Sequence, residues 1–382
     1  MKHNYDAEDG INQTAQAGNA QENLSSDISY QDLVEEASRY QNACWAAHMT
    51  PDLAPYSQLG MQLALHHHGN LLSPELYPKL KQAETELRYT LAEEFGFTYT
   101  QFTHGGTFSN LQALWQARNQ SDTNKNVIYG SEACHYSIAK ACDILGITFE
   151  VIGCNERQQI HLASLEEKCA KTAPLAIIAN MGTTATGAID PIEEITAIAA
   201  KYDSWLHVDG AWGGFMLLQA NELKQLISKV DSLSFDPHKA LFQPRPCSLL
   251  FSHQAPELMS AIDYLSEPPE MTIGGSYGGE VFLPLWLNWK LLGKTWFIEK
   301  MAYRLAQAAH FTEALEQAKC KVINHGTGIV CFKLNQDHDL TSLIKNGTIS
   351  TIKLNQTLYY RVVFAGLDTS ADNILRVLRP YL

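Results

Sequence analysis

The sequence predicts an α/β protein with a mainly parallel central sheet, followed by a smaller α+β C-terminal domain. Three observations predict it. Short apolar runs alternate with amphipathic stretches from about residue 99 to residue 240. Several of those runs, such as 175–180, are apolar throughout, as strands buried on both faces are. After a Pro- and Gly-rich segment at 264–279, the pattern changes to one long helical stretch and a few strands. A chain of 382 residues, 45% of them hydrophobic, can bury the cores of two such domains.

Residues 1–30 are polar and rich in Asn, Gln, Ala and Ser, which predicts a disordered tail. They lack a basic start followed by an apolar stretch, so an ordinary secretory signal is not expected. Residues 31–75 read as a helical segment broken at Pro51 and Pro55. The large domain is expected over 76–265. Leu80, Ala83, Leu87, Leu91 and Phe95 fall three or four apart and predict a helix that Gly96 ends. A strand at 99–103 runs into Gly105-Gly106-Thr107 and a helix to about Arg118. A strand at 127–130 precedes a helix at 134–145, and a strand at 148–152 precedes a helix opened by Ser164 and Glu167, spaced as a capping box. The run 175–180 leads to a helix after Pro191, and 205–208 ends in Asp209. A loop at 266–280 separates this domain from the small domain at 281–382. That domain opens with a long helix to about Lys319, has strands near 328–334 and 358–364, and closes with a helix after Ser370.

Composition excludes several classes. No run of 18 apolar residues is present to span a membrane as a helix. A formal net charge of −13 argues against a nucleic-acid partner, because phosphate contacts need clustered Lys and Arg. Eight cysteines without a C-x-x-C pair read as reduced thiols of a cytoplasmic enzyme.

In open parallel sheets, ligands collect at the carboxyl ends of strands. His207-Val208-Asp209-Gly210-Ala211 places a carboxylate at one strand end, and Ser234-Phe235-Asp236-Pro237-His238-Lys239 places a lysine at another. An amine and a buried carboxylate in this order suit pyridoxal 5'-phosphate: the amine forms a Schiff base with the aldehyde, and the carboxylate pairs with the protonated ring nitrogen. At a separation of about 4 Å and an effective dielectric of about 20, that pair is worth roughly 4 kcal/mol. A desolvated lysine beside a cationic His238 is expected to have a depressed pKa. Gly105-Gly106-Thr107, between strand and helix, offers N–H groups to a phosphate. His135 opens a helix after a strand and could stack on a flat ring.

Taken together, these segments resemble the pyridoxal-phosphate-dependent amino-acid decarboxylases of the glutamate/aromatic amino-acid decarboxylase family. The matching stretches are Thr103–Asn110, Ser131–Ser137, Gly182-Thr183-Thr184-Ala185-Thr186-Gly187 with Asp190-Pro191, His207–Gly214 and Asp236–Lys239. The resemblance covers roughly residues 76 to 382. It implies the aspartate-aminotransferase type of fold (fold type I) and a homodimer with interfacial sites, to which segment 31–75 would contribute. It also implies residue roles. Lys239 would carry the Schiff base, Asp209 would pair with the ring nitrogen, and His135 and Ala211 would flank the ring. Gly106, Thr107 and His238 would hold the phosphate, Thr184 would lie near the ring edge, and Arg361 would meet the substrate carboxylate. The reaction implied is decarboxylation of an L-amino acid to its amine. No metal is implied.

Some features depart from that family. The segment 264–279, where relatives carry a flexible loop with a protonating tyrosine, is short, and either Tyr264 or Tyr277 could substitute. Gly278-Gly279-Glu280 stands where aromatic decarboxylases have two arginines. Other outcomes after the shared covalent step therefore stay open: carbon–carbon lysis, transamination or decarboxylation-coupled oxidation. A remote alternative is a serine hydrolase, because Gly274-Gly275-Ser276-Tyr277-Gly278 fits G-x-S-x-G with Asp337-His338 downstream. Gly293-Lys294-Thr295 resembles the end of a P-loop, but Asn288 stands where a Gly is needed. His66-His67-His68 read as a solvated cluster, and Trp286, Trp289 and Trp296 as core. For the substrate side chain, Arg245 would suit an acidic group, while Trp45 and His48 would suit an aromatic one.

Overall fold

The computed structural model describes residues 28–38, 43–121, 124–266 and 268–382, so 1–27 of the expected polar tail lie outside the described residues. The chain divides into two compact units, residues 1–42 and 43–382. In the first, the described element is the exposed helix Tyr30–Ser38.

The second unit holds two sheets. The larger has seven strands: β1 (Tyr99–Thr103), β2 (Val127–Ser131), β3 (Thr148–Ile152), β4 (Ala176–Asn180), β5 (Trp205–Asp209), β6 (Ser232–Phe235) and β7 (Ser248–Ser252). Their order is β1-β7-β6-β5-β4-β2-β3. Strands β3, β2, β4, β5 and β6 pair in parallel, as the apolar runs predict. Every residue of β2 and β4 is buried. Strand β7 is antiparallel to both neighbours, so β1 runs in the same direction as β6. The carboxyl ends of β1, β2, β4, β5 and β6 therefore share one edge, and the loops there build the site.

In this sheet the sequence expectations miss β7, and they misplace two helix starts. The helix after β2 begins at Tyr136, with His135 as its cap. The helix expected to open at Ser164 spans Leu162–Lys171, and the imidazole of His161 accepts from the Ser164 N–H. The Ser164/Glu167 spacing thus lies inside the helix rather than at its cap.

The smaller sheet comprises β8 (Lys321–Asn324), β9 (Ile329–Lys333), β10 (Ser350–Leu354) and β11 (Thr357–Val363), all antiparallel in the order β10-β11-β9-β8. It packs on the long helix Leu283–Gln317, which kinks at Gly293 (φ 75°, ψ 168°). That kink removes any P-loop geometry, and Lys294 instead pairs with Glu94. Ser276 lies in irregular chain followed by a single 3-10 turn, so the strand and helix of a nucleophile elbow are absent there. His66 and His67 end the helix Ser57–His67, exposed with His68. Trp286, Trp289 and Trp296 pack against the core.

Candidate active site

At the shared strand edge lies a cavity of about 580 Å³. Its wall includes Gly106, Thr107, His135, Thr184, Asp209, Ala211, His238 and Lys239, eight of the nine residues to which the resemblance gives a role. Segments far apart in the chain meet here because each follows a strand of the same sheet. Lys239 sits in the single-turn helix Pro237–Ala240, directly after β6.

Asp209 ends β5 and is 8% exposed. One carboxylate oxygen, Oδ2, accepts from Asn110 Nδ2 at 2.9 Å, while Oδ1 accepts from the Ala211 N–H at 3.1 Å and Ser234 Oγ at 3.3 Å. Among the described residues no cationic side chain lies within 4 Å of it, so its charge is met by hydrogen-bond donors alone. Asn110 also donates to Ser137 Oγ at 2.9 Å, and Ser137 Oγ lies 2.8 Å from His135 Nδ1. Burial lowers the pKa of His135, so the ring is neutral near pH 7.

The turn after β1 needs glycine. Gly105 has φ 116°, a conformation that L side chains avoid. A Cβ on Gly106 would sit 2.9 Å from Asp236 Oδ2. The following helix, Gly106–Gln120, opens with N–H groups that have no partner in a preceding turn, and its N-terminal residues line the cavity.

Lys239 differs from its sequence expectation. Its Nζ lies 2.8 Å from Asp236 Oδ2, and Asp236 is 1% exposed. Burial pulls the lysine pKa down, but the Asp236 charge and hydrogen bond outweigh it and hold the amine above the ordinary lysine range. The neighbouring imidazole is not favoured as a cation: burial lowers the pKa of His238 below the ordinary histidine value, and its Nδ1 contacts the Cys247 carbonyl at 2.6 Å. The amine is therefore stored protonated, not depressed.

The ninth predicted residue, Arg361, lies apart from the cavity wall, on β11. It is 5% exposed and donates through Nη1 to the Ala47 carbonyl at 3.0 Å and Ser350 Oγ at 3.3 Å, and its Nε has no partner. Met49, two residues beyond Ala47, does line the cavity. Arg245 lines it as well, and its guanidinium donates to Thr50 Oγ1 at 3.2 Å. Of the two loop tyrosines, Tyr264 is 75% exposed and Tyr277 donates to Glu84 Oε1 at 2.8 Å; neither lines the cavity. Sequence reasoning gave no role to Asn110, Ser137, Asp236 or Tyr136. Only Asp236 carried a usable signal, its position three residues before Lys239 on a helical turn.

The family model of the pyridoxal-dependent decarboxylase conserved domain matches residues 107–335, more than half of the chain. An aspartate 1-decarboxylase of Aliivibrio fischeri is 34% identical over 199 residues, 44% of this chain and 36% of that protein. A probable L-aspartate decarboxylase of Halobacterium salinarum is 31% identical over 214 residues, 54% of this chain and 59% of that protein. The chain thus spans about a third to three fifths of the length of these curated relatives. Among solved structures, mouse CSAD in apo form has a TM-score of 0.80 at 21% identity, covering 94% of this chain and 89% of that one. Catharanthus roseus tryptophan decarboxylase in complex with L-tryptophan has a TM-score of 0.81 at 18% identity, covering 100% and 99%. These structural likenesses establish the fold, which is fold type I. The matched domain establishes the family: the chain belongs to the pyridoxal-dependent decarboxylases.

Proposed function

We propose that this chain removes the α-carboxylate of an L-amino acid as carbon dioxide, using pyridoxal 5'-phosphate held at Lys239. One observation carries the reading: Lys239 and the cation-free carboxylate of Asp209 line the same cavity. The donor set fits the cofactor. Asp209 is a buried anion lacking a cationic partner, which a protonated ring nitrogen supplies. The glycine turn at 105–106 leaves room and open N–H groups for a phosphate.

When bound, the cofactor supplies an electron-withdrawing ring conjugated to the substrate amine. The chain's own residues do the rest. Asp209, whose two carboxylate oxygens accept three hydrogen bonds and meet no cationic side chain among the described residues, would hold a proton on the ring nitrogen. His135 and Ala211 would flank the ring, Thr184 would meet its edge, and Gly106, Thr107 and His238 would hold the phosphate, all of them lining the one cavity. Lys239 supplies the amine that anchors the cofactor. Arg361, to which the resemblance gives the substrate α-carboxylate, stands behind the cavity wall on the Ala47 carbonyl, two residues from the wall residue Met49, and would reach that carboxylate only through a shift of this segment.

The substrate we favour is a dicarboxylic amino acid such as L-aspartate. Both curated relatives are named for aspartate, and Arg245 presents a guanidinium with no carboxylate within 4 Å among the described residues. We further infer a cytoplasmic homodimer. Leu59, Leu63 and Leu65 are exposed along one helix, and Cys142, Cys169, Cys247, Cys320 and Cys331 are buried free thiols.

The test is an amino-acid panel assayed for both carbon dioxide and ammonia, on the wild type and Arg245→Met. A charged hydrogen-bonding pair is worth about 1.5–3 kcal/mol. The variant should therefore lose about tenfold to a hundredfold in kcat/KM for aspartate, with little change for neutral amino acids. Ammonia without carbon dioxide, or no product from any amino acid, would overturn the decarboxylase reading.

A further inference from the structure

The buried polar groups behind the cavity form one chain of donors, and the roles within it follow from chemistry. A carboxylate only accepts, so the Asn110 atom 2.9 Å from Asp209 Oδ2 is the amide nitrogen. Its oxygen then faces His207 Nε2 at 3.0 Å and must accept, so His207 carries its proton on Nε2. His207 Nδ1, 2.8 Å from Ser232 Oγ, is left to accept from that hydroxyl. Trp205 Nε1, which can only donate, gives its hydrogen to the same Ser232 oxygen at 2.8 Å, consistent with that direction.

The second amide hydrogen of Asn110 goes to Ser137 Oγ at 2.9 Å. That leaves the Ser137 hydroxyl hydrogen for His135 Nδ1 at 2.8 Å, and the Ser137 backbone N–H donates to the same nitrogen at 3.3 Å. Hence His135 Nδ1 accepts, and the ring's proton sits on Nε2. Asn110 and Ser137 are 1% and 0% exposed, so water does not substitute for either.

We infer that Asn110 is a positioning residue that sets two groups of the site through one amide: the carboxylate of Asp209 and the Nε2–H tautomer of His135. The cofactor arm of this inference rests on the assignment of the cavity under "Proposed function"; the tautomer arm does not. One consequence is chemical. With Nδ1 occupied by two donors, His135 offers the cavity an N–H and not a proton-accepting lone pair.

The experiment is nitrogen-15 NMR on the 382-residue chain with labelled histidine, without added cofactor, His135 being assigned by loss of its signals in His135→Gln. In the wild type, both His135 and His207 should show a protonated Nε2 and an unprotonated Nδ1 at pH 7. A protonated His135 Nδ1, or a cationic His207, would overturn the inference without any further variant. In Asn110→Leu, the Ser137 hydroxyl is freed to accept, so His135 should become a mixture of tautomers. Pyridoxal phosphate, titrated into the same variant, should bind about tenfold or more weakly, as expected on losing a hydrogen bond to a charged group. An unchanged His135 tautomer together with cofactor affinity within twofold of wild type would overturn the inference. If the wild type itself binds no pyridoxal phosphate, the cofactor reading fails, and the wild-type tautomers still decide the His135 arm.

Discussion

Asp236→Asn tests how the chain stores its reactive amine. Asp236 Oδ2 lies 2.8 Å from Lys239 Nζ, and the carboxylate also meets Ser248 Oγ at 2.5 Å and His238 Nε2 at 3.6 Å. At 2.8 Å and an effective dielectric of about 20, the gross Coulomb attraction is roughly 6 kcal/mol. Desolvation of both charges, the 23% exposure of Lys239 and the hydrogen bond an amide retains reduce this to a net loss of about 2–3 kcal/mol. The signs follow from the two shifts. Burial acts to raise the Asp236 pKa, but Lys239 and then His238 hold it below the ordinary carboxylate range. Its contribution is thus present above the unfolded value of about 3.9 and lost as pH falls through the folded one. The raised Lys239 contributes below about 10.4, and that contribution is lost as pH rises through its folded value. The stability gap between wild type and variant should therefore be widest between about pH 5 and 9 and close at both extremes. Urea denaturation across pH measures it. Reductive methylation of the cofactor-free chain, followed by peptide mass analysis, should show Lys239 reacting at lower pH in the variant than in the wild type. A gap below about 0.5 kcal/mol at pH 7, with an unmoved methylation profile, would refute the stored-amine argument.

Two further predictions address the framework. Burial pushes the His207 pKa down to about 4, so the unfolded chain binds this proton first as pH falls, and stability declines from pH 7 to 4. His207→Gln should flatten that acid limb by about 3 kcal/mol in urea titrations; an unaltered limb would contradict the assignment. Gly187 has φ 74°, and a Cβ there would meet Thr327 Oγ1 at 2.1 Å, so Gly187→Ala should cost more than about 2 kcal/mol. A melting temperature within a degree of wild type would show that the loop yields freely.

What the sequence revealed followed the physics of burial. The residues of β4, Ala176 to Asn180, read as a strand because both faces are covered and every position is apolar or strand-terminal. The positions of Asp209 and Lys239 followed, since strand ends mark the loops that face the cavity. Strand β7 was illegible as an antiparallel insertion, because nothing local to Ser248–Ser252 specifies that it pairs between β1 and β6. The hairpin from β10 to β11 turns at Asn355 and Gln356, at φ 46° and 64°, without the glycine that would announce it. Asn110 stands within the Thr103–Asn110 stretch, but its function is not legible there, because its partner Asp209 lies 99 residues away and only the folded sheet brings them together. The direction of the Lys239 pKa is not legible from its adjacency to His238, because the carboxylate one helical turn back decides it.

The most direct measurement is to add pyridoxal 5'-phosphate to the purified chain, reduce with borohydride and map the covalent adduct by peptide mass spectrometry. A single stoichiometric adduct on Lys239 is the predicted result. An adduct on another lysine, or none although the chain is folded, would contradict the central assignment.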